Sequence, residues 1–558
     1  MRSCWLRLPF RAFVRPTANA TLGRLAPAPI IFSKCTRTIA RVAFSTQVSN
    51  STLPRTNISL LGATNAGKSV LMNLLTQSDV SLVHDTAGTT ADPKSCLMEL
   101  HGKIGPIRLF DTPGIDEAGE LGGMKREKAL QTIGQCDVAV IVADPFAKDP
   151  ASTVSCVVEL IQHVQKRQAM NRMVSAGTTN NPMDPPVPLL IFNLRKDKVQ
   201  ELESRSMSIS FLIENLEKEI EQKLTKKTTN GAKAALPPTM AVDLAATDEL
   251  SRDRVINFVE MYARPRLDSV SLLPDSLAHD THAEAGNSPA VFLNIPMDQQ
   301  TPSMRLLRPQ AMVQEALIRN FVSTYSYRMD LGLARSDNPL HVQKEKDRFL
   351  RAIDPFLASG DLKALITDSQ AIDLVAPWTL DANGHELVPI TTFSITMIRY
   401  LSGGRLGYFA DGLRKLDQMM AGEALPVNGQ KWNILISEAC NHTRLNLEKE
   451  CADIGTVQLP NYLSAKLGSD NVSFEFAFGK HAIFDPLRYD LVVHCGGCML
   501  TPQQMNCRVA DLAHAGVAAT NYGLLLAKIQ SPSTLARVLR PWGVEFDSHE
   551  RPQLPSAA

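Results

Sequence analysis

Short apolar runs alternate with longer amphipathic stretches along most of this chain, and most runs end in a turn rich in Gly, Asp, Thr or Cys. Runs that are apolar at every position suit parallel strands buried on both faces, and the stretches between them suit crossover helices. Runs at 57–61, 107–110, 137–143, 189–193 and 242–246 predict one sheet, with a helix over 70–75 following its first strand. A run at 291–295, a helix carrying Val313, Ala316, Leu317 and Phe321, and a strand ending in Ile366-Thr367-Asp368-Ser369-Gln370 predict a smaller second sheet. Runs at 432–436 and 491–493 predict a third. The expected fold class is α/β throughout, in domains at 55–265, 290–386 and 387–540. Insertions near 171–188 and 224–238 read as surface loops, 266–289 as a linker and 541–558 as a C-terminal tail.

Residues 1–54 break this pattern. Arg2, Arg7, Arg11, Arg15, Arg24, Arg37 and Arg41 recur among Ser, Thr and Ala, and the first acidic residue is Asp79. Leu6, Phe10, Phe13 and Val14 share one helical face. That is the signature of an organellar transit peptide. The expected location is an organelle matrix, mitochondrion or hydrogenosome, with the chloroplast stroma as the alternative. Over the whole chain, 558 residues at 44% hydrophobic content allow several domains with sizeable cores. The net charge of +1 gives no global case for nucleic acid, and no apolar run is long enough to predict a membrane span. Ten cysteines are too few for a secreted disulfide scaffold, and their C-terminal grouping points to metal binding in a reducing compartment.

The first strand runs directly into Gly62-Ala63-Thr64-Asn65-Ala66-Gly67-Lys68-Ser69, and Val70 opens the following helix. G-x-x-x-x-G-K-S between a strand and a helix is a P-loop: backbone N–H groups close around phosphates, Lys68 pairs with the β/γ-phosphates and Ser69 holds magnesium. Thr89 and Thr90 lie in a polar loop placed to bring a hydroxyl to the same magnesium. The second strand ends in Asp111-Thr112-Pro113-Gly114, where Asp111 holds the metal through water and the Gly114 amide senses the γ-phosphate. Lys68, Thr90, Asp111 and Gly114 are therefore the expected catalytic set, and GTP with Mg2+ the expected substrate. The fourth strand ends in Asn193-Leu194-Arg195-Lys196-Asp197. Against the usual Asn-Lys-x-Asp guanine reader, Asp197 comes one residue late and Leu194 replaces the lysine. Asn193 and Asp197 stay the base-reading candidates, and GTP-over-ATP preference stays open.

Two cysteine groups follow strand-like runs: Cys440-Asn441-His442, and His494-Cys495-Gly496-Gly497-Cys498. Parallel strands ending side by side would bring both to one rim of a sheet, where open α/β folds bind ligands. Three thiolates plus one replaceable ligand suit an iron–sulfur cluster with an iron left open for exchange. Spacing alone leaves a zinc site and a thioredoxin-like redox pair open. Cys451 and Cys507 read as thiols outside this motif, and Cys4, Cys35, Cys96, Cys136 and Cys156 have no partner at ligand spacing.

P-loop, middle α/β segment and C-x-H…H-C-x-x-C in this order resemble the HydF family, the GTPases of FeFe-hydrogenase maturation. Ile295-Pro296-Met297-Asp298, Arg305-Leu306 with Pro309-Gln310, Ile366 to Gln370, Thr391 to Ser394, Asp453-Ile454-Gly455 and Thr520-Asn521-Tyr522-Gly523 resemble that family's signatures too. The resemblance implies a P-loop GTPase domain, a small α/β dimerisation domain and an α/β iron–sulfur cluster-binding domain. It implies a 4Fe–4S cluster on Cys440, Cys495 and Cys498, with His442 and His494 as candidates for the fourth position or for orienting the cluster. It implies a transient di-iron subcluster as cargo. The partners it implies are two radical-SAM maturases, apo FeFe-hydrogenase and a second copy of the chain. Asn65 resembles the P-loop asparagine that helps bind an activating potassium ion, and Ile115 stands where Ras-like proteins carry a catalytic glutamine. Two other readings compete: a TrmE/Era-like GTPase of RNA modification or ribosome assembly, and a zinc-stabilised regulatory module.

Overall fold

The apolar runs become strands wherever parallel pairing can bury both of their faces. In a computed structural model of the chain, the described residues are 55–77, 94–98, 105–117, 119–175, 186–204, 207–226, 235–246, 249–263, 270–278, 289–296, 306–427, 429–439, 453–479 and 485–546. The expected transit peptide, Thr89, Thr90, Met297, Asp298, Arg305, Cys440, His442 and Cys451 lie outside them.

The first sheet comprises Thr56–Gly62 (β1), Lys94–Met98 (β2), Ile107–Asp111 (β3), Val138–Ala143 (β4), Val187–Asn193 (β5) and Thr239–Val242 (β6). Its order is β2-β3-β1-β4-β5-β6, with β2 antiparallel and the rest parallel. Every residue of β1 and β4 is buried, which explains their unbroken apolar text. The chain leaves β1 toward β3 on one side and β4 on the other. That reversal opens a crevice at the carboxyl end of β1. The expected insertions are narrower than the text suggested: a helix reaches Ser175, β5 begins at Val187, and another helix extends to Lys226. The strand expected at 242–246 ends at Val242, and the residues after it form the loop that meets Asn193.

Ala290–Asn294 (β7), Ser323–Tyr327 (β8), Leu362–Thr367 (β9) and Ile390–Thr392 (β10) form the second sheet, in the order β10-β9-β7-β8, all parallel. Trp432–Glu438 (β11), Val472–Phe478 (β12), Leu491–His494 (β13) and Ala518–Asn521 (β14) form the third, in the order β12-β11-β13-β14, again parallel. Here the chain reverses around β11, so a crevice opens between the ends of β11 and β13.

Three boundaries differ from expectation. Ile390–Thr392, placed by its text at the opening of the last domain, completes the second sheet by pairing with β9. One hydrophobic core runs through both sheets, from Phe292 and Leu365 to Ile434 and Val492. The expected linker carries Leu273 and Leu277, both buried against Val291, Val313 and Phe393. The expected tail is packed through its first residues: Trp542 is buried, its indole N–H donates to Thr391 Oγ1 at 3.0 Å, and Arg399 lies 4.8 Å from its ring centroid.

Candidate functional site

Gly62 to Ser69 bridge β1 and the helix Lys68–Thr76. Gly67 caps that helix at φ 108°, and a Cβ there would meet Asn193 Nδ2 at 2.4 Å, so only glycine fits. Lys68 is buried, and its Nζ donates to Gly62 O at 3.2 Å and Ala63 O at 2.6 Å. Burial pushes the ammonium below the usual lysine range, against the pull of Asp111 and other nearby anionic groups. Ser69 Oγ donates to Asp111 Oδ2 at 2.7 Å. Asp111 Oδ1 is buried without a hydrogen-bond partner among the described residues. A carboxylate oxygen in that condition suits a hydrated cation. Ala66 is buried, Val70 half-buried and Asn65 exposed at φ 60°.

The segment after Asp111 folds back on the P-loop. Thr112 Oγ1 donates to Leu60 O at 2.7 Å, and Asp116 Oδ1 accepts from Thr64 N at 2.6 Å and Thr64 Oγ1 at 2.7 Å. Gly114 stands beside Thr64, and Ile115 is buried in the core. Asn193 ties the base end of the crevice: its Nδ2 donates to Ala66 O at 3.1 Å and its Oδ1 accepts from Leu244 N at 3.4 Å. Asp197 lies exposed in the first turn of the helix Lys196–Ser204. The structure thus joins Asn193 to the phosphate loop, while Asp197 sits further out. Thr89 and Thr90 lie outside the described residues.

At the third sheet, Ser437 on β11 pairs with His494 on β13, and Cys495 N–H donates to Ser437 O at 3.0 Å. Cys495 Sγ accepts two amide N–H groups, from Ala439 at 3.2 Å and Gly497 at 3.3 Å. Amide N–H groups aimed at a sulfur are one of the levers on iron–sulfur centres. Cys495 and Cys498 are both half-buried. Arg308, on the helix Arg308–Arg319 beside the second sheet, donates to Cys498 O at 2.5 Å and Leu500 O at 3.0 Å. Cys440 and His442 lie outside the described residues, and among the described ones no three metal-binding side chains meet.

His494, a candidate fourth ligand by sequence, is 2% exposed with both ring nitrogens engaged. Nδ1 stands 2.7 Å from Cys495 O and Nε2 2.9 Å from Arg508 Nη1. Since the guanidinium can only donate, Nε2 accepts and Nδ1 carries the proton. Burial, and then Arg508, hold the ring neutral, with its pKa down to about 3. In this arrangement both ring nitrogens are occupied by protein partners.

One buried acid at this rim carried no recognisable signal in the text. Glu438, 4% exposed at the end of β11, accepts from Tyr522 O–H at 3.0 Å. Burial and the neighbouring Glu438 raise the Tyr522 pKa, so the phenol stays a donor. The only hint of Glu438 was an acid closing an apolar run just before Cys440. Asp453, Ser394 and Asn521, which the text did single out, brace the same rim. Asp453 caps Thr456 N at 2.8 Å, Ser394 Oγ donates to Asn521 Oδ1 at 3.2 Å, and Asn521 Nδ2 donates to His494 O at 3.2 Å.

The helix Pro502–His514 starts just beyond Cys498 and runs against the first sheet's domain. Arg167 Nη1 pairs with Asp511 Oδ1 at 2.8 Å, Gln503 Nε2 donates to Asp137 Oδ2 at 2.9 Å, and Gln504 Nε2 donates to Gln135 Oε1 at 3.1 Å. Cys507 is buried in this contact, and burial pushes its thiol up to about 12.

Two family models match the chain. Residues 408–541 match the hydrogen maturase F tetramerization domain, and residues 57–178 match the 50S ribosome-binding GTPase. Among curated proteins, GTPase Der of Mycobacterium ulcerans (strain Agy99) is 36% identical over 109 residues, 18% of this chain and 23% of that protein. The tRNA modification GTPase MnmE of Xanthomonas campestris pv. campestris (strain B100) is 36% identical over 128 residues, 22% of this chain and 27% of that protein. The chain thus spans about a quarter of the length of these curated relatives. Among solved structures, Era in complex with MgGDPNP and a segment of 16S ribosomal RNA aligns at a TM-score of 0.26 and 16% identity, over 50% of this chain and 93% of that one.

Proposed function

We propose that this chain, a HydF-type hydrogenase maturase GTPase by its two domain matches, is a GTP-hydrolysing scaffold and carrier for the di-iron precursor of the H-cluster. Cys440, Cys495 and Cys498 hold a 4Fe–4S cluster in this reading. The observation that carries it is the Cys495 sulfur, which accepts two amide N–H groups, one of them from Ala439, the residue before Cys440. Such bonds are a recognised lever on iron–sulfur centres. Held by three thiolates, such a cluster would supply an iron with a replaceable ligand.

The chain's own residues do the rest. Lys68 turns from the Gly62 and Ala63 carbonyls to the β/γ-phosphates, and Ser69, Thr90 and Asp111 hold magnesium between them. Asn65 contributes to a potassium site, which supplies charge stabilisation in a crevice where Ile115 replaces a catalytic glutamine. Asn193 and Asp197 read the base. Hydrolysis switches contacts rather than driving cluster chemistry, and the helix Pro502–His514 joins the nucleotide domain to the cysteine rim. The matched tetramerization domain accords with self-association, in this reading through a homodimer of the middle domain. The partners are two radical-SAM maturases and apo FeFe-hydrogenase, within an organelle matrix.

Anaerobic reconstitution tests this. Wild type should bind iron and sulfide in near-equal amounts and turn brown, and Cys495→Ser should lose both. Zinc without sulfide in the wild type, or full iron and sulfide in Cys495→Ser, would overturn the ligand assignment.

A further inference from the structure

Arg508 sits on the helix Pro502–His514, which leads away from the Cys495–Cys498 turn, and it is 4% exposed. Its guanidinium reaches three strand ends. Nη1 lies 2.9 Å from His494 Nε2 at the end of β13 and 3.3 Å from Ser437 Oγ on β11, and Nη2 donates to Gly479 O, just past β12, at 3.1 Å. Gly479 N–H in turn donates to Glu438 O at 2.8 Å. A lysine has no planar fork and could not span this set.

The guanidinium thereby sits beside the Cys495 turn: His494, which Nη1 contacts, directly precedes Cys495, whose N–H donates to Ser437 O at 3.0 Å and whose sulfur accepts two amide N–H groups.

We infer that Arg508 is a positioning residue for the iron–sulfur cluster: it fixes His494 and the Cys495 turn against the ends of β11 and β12, and it places a permanent positive charge beside the turn that carries Cys495. This rests on the cluster reading above. Two consequences follow. The positive charge makes the reduced, more negative cluster easier to form. The fixed turn slows loss of iron.

The test is potentiometric EPR of the reconstituted full chain, with wild type, Arg508→Met and Arg508→Lys compared. Arg508→Met should still carry iron and sulfide but be harder to reduce, by at least a tenfold drop in the reduced-to-oxidised ratio at fixed potential. That is about 59 mV for a one-electron couple. A merely structural arginine would lower iron content and thermal stability without moving the potential of the cluster that remains, so an unchanged potential overturns the inference. Should Arg508→Met fail to fold, Arg508→Lys carries the test. Its ammonium keeps the charge but cannot span three strand ends, so wild-type potential with at least threefold faster iron loss to a chelator is expected, and wild-type retention overturns it. A wild type lacking iron and sulfide fails the cluster reading itself, an outcome separate from either variant's.

Discussion

The first and third sheets solve one architectural problem with opposite use of the backbone. Both are parallel, and both place their functional loops at the carboxyl ends of strands where the chain reverses direction. At the first, a single contiguous loop after β1 makes the phosphate cradle, its amides arranged for a ligand that arrives from outside. At the third, loops from distant parts of the chain meet, and the amides of Ala439 and Gly497 point at the protein's own sulfur. That cradle is therefore complete within a few residues of text. The third exists only if β11 and β13 pair in register, because Ser437 must stand opposite His494 before Ala439 can reach Cys495. Backbone built to receive a ligand can be local; backbone built to tune a ligating side chain has to be braced by the fold.

The largest expected effect separates the two regions. Lys68→Met removes the buried ammonium from the P-loop. Loss of one preorganised charged donor in a phosphoryl-transfer site costs on the order of 10²–10³-fold in rate. GTP hydrolysis should fall by that much while iron and sulfide content stays at the wild-type level, since the Lys68 ammonium bonds to Gly62 and Ala63 and not to the cysteine rim. A parallel loss of iron would mean that the two sheets do not load independently.

That asymmetry also decides what could be read from the text. The P-loop, Asp111 and Gly114 were legible because their spacing along one short segment is itself the geometry. Cys495 and Cys498 were legible as a pair, and Asn521 and Ser394 as members of motifs, but their bracing of one rim needed the strand order. Arg508, Glu438 and Arg308 were invisible: each is a charged residue with a partner far along the chain. The text left His494 open between fourth ligand and orienting group; that both of its ring nitrogens are held, by Cys495 O and by Arg508, needed the fold. Ile390–Thr392 is too short for periodicity to assign to a sheet. Leu273, Leu277 and Trp542 sit in sparse, polar text that predicts exposure, yet their side chains fill gaps left by larger elements.

A middle-sized effect sharpens the claim that the cysteine rim is braced. Gly455 lies so close to β11 and β14 that an added Cβ would stand 2.1 Å from Glu438 Oε1 and 2.4 Å from Tyr522 O–H. Neither atom is the free end of a flexible chain, because the two are bonded to each other at 3.0 Å and buried. Gly455→Ala should therefore cost about 1–3 kcal/mol by overpacking. A lower melting temperature and faster loss of iron should appear together. Gly407→Ala is the matched control: it lies in the helix Leu406–Ala421, and an added Cβ there meets nothing within 4 Å. It should be neutral or stabilise the chain by up to about 1 kcal/mol. If the two variants melt alike, the packing around Glu438 does not brace the rim.

The smallest expected effect addresses how the two sheets are joined. Arg167 and Asp511 pair across the contact at 2.8 Å, with side chains 17% and 21% exposed. Partial exposure and solvent screening limit such a pair to about 1 kcal/mol. Asp511→Asn keeps the shape and removes the charge, so stability should change little. The informative quantity is a ratio: the rate of iron loss to a chelator with a GTP analogue bound, against that with GDP. If nucleotide state reaches the cysteine rim along the helix Pro502–His514, the wild-type ratio differs from one and Asp511→Asn moves it toward one. A coupling of about 1 kcal/mol bounds that change at about fivefold. Gln503 and Gln504 hold the near end of the same helix to Asp137 and Gln135, so one substitution should weaken the coupling without abolishing it. A wild-type ratio of one would make the two sheets neighbours that share a helix and exchange nothing through it.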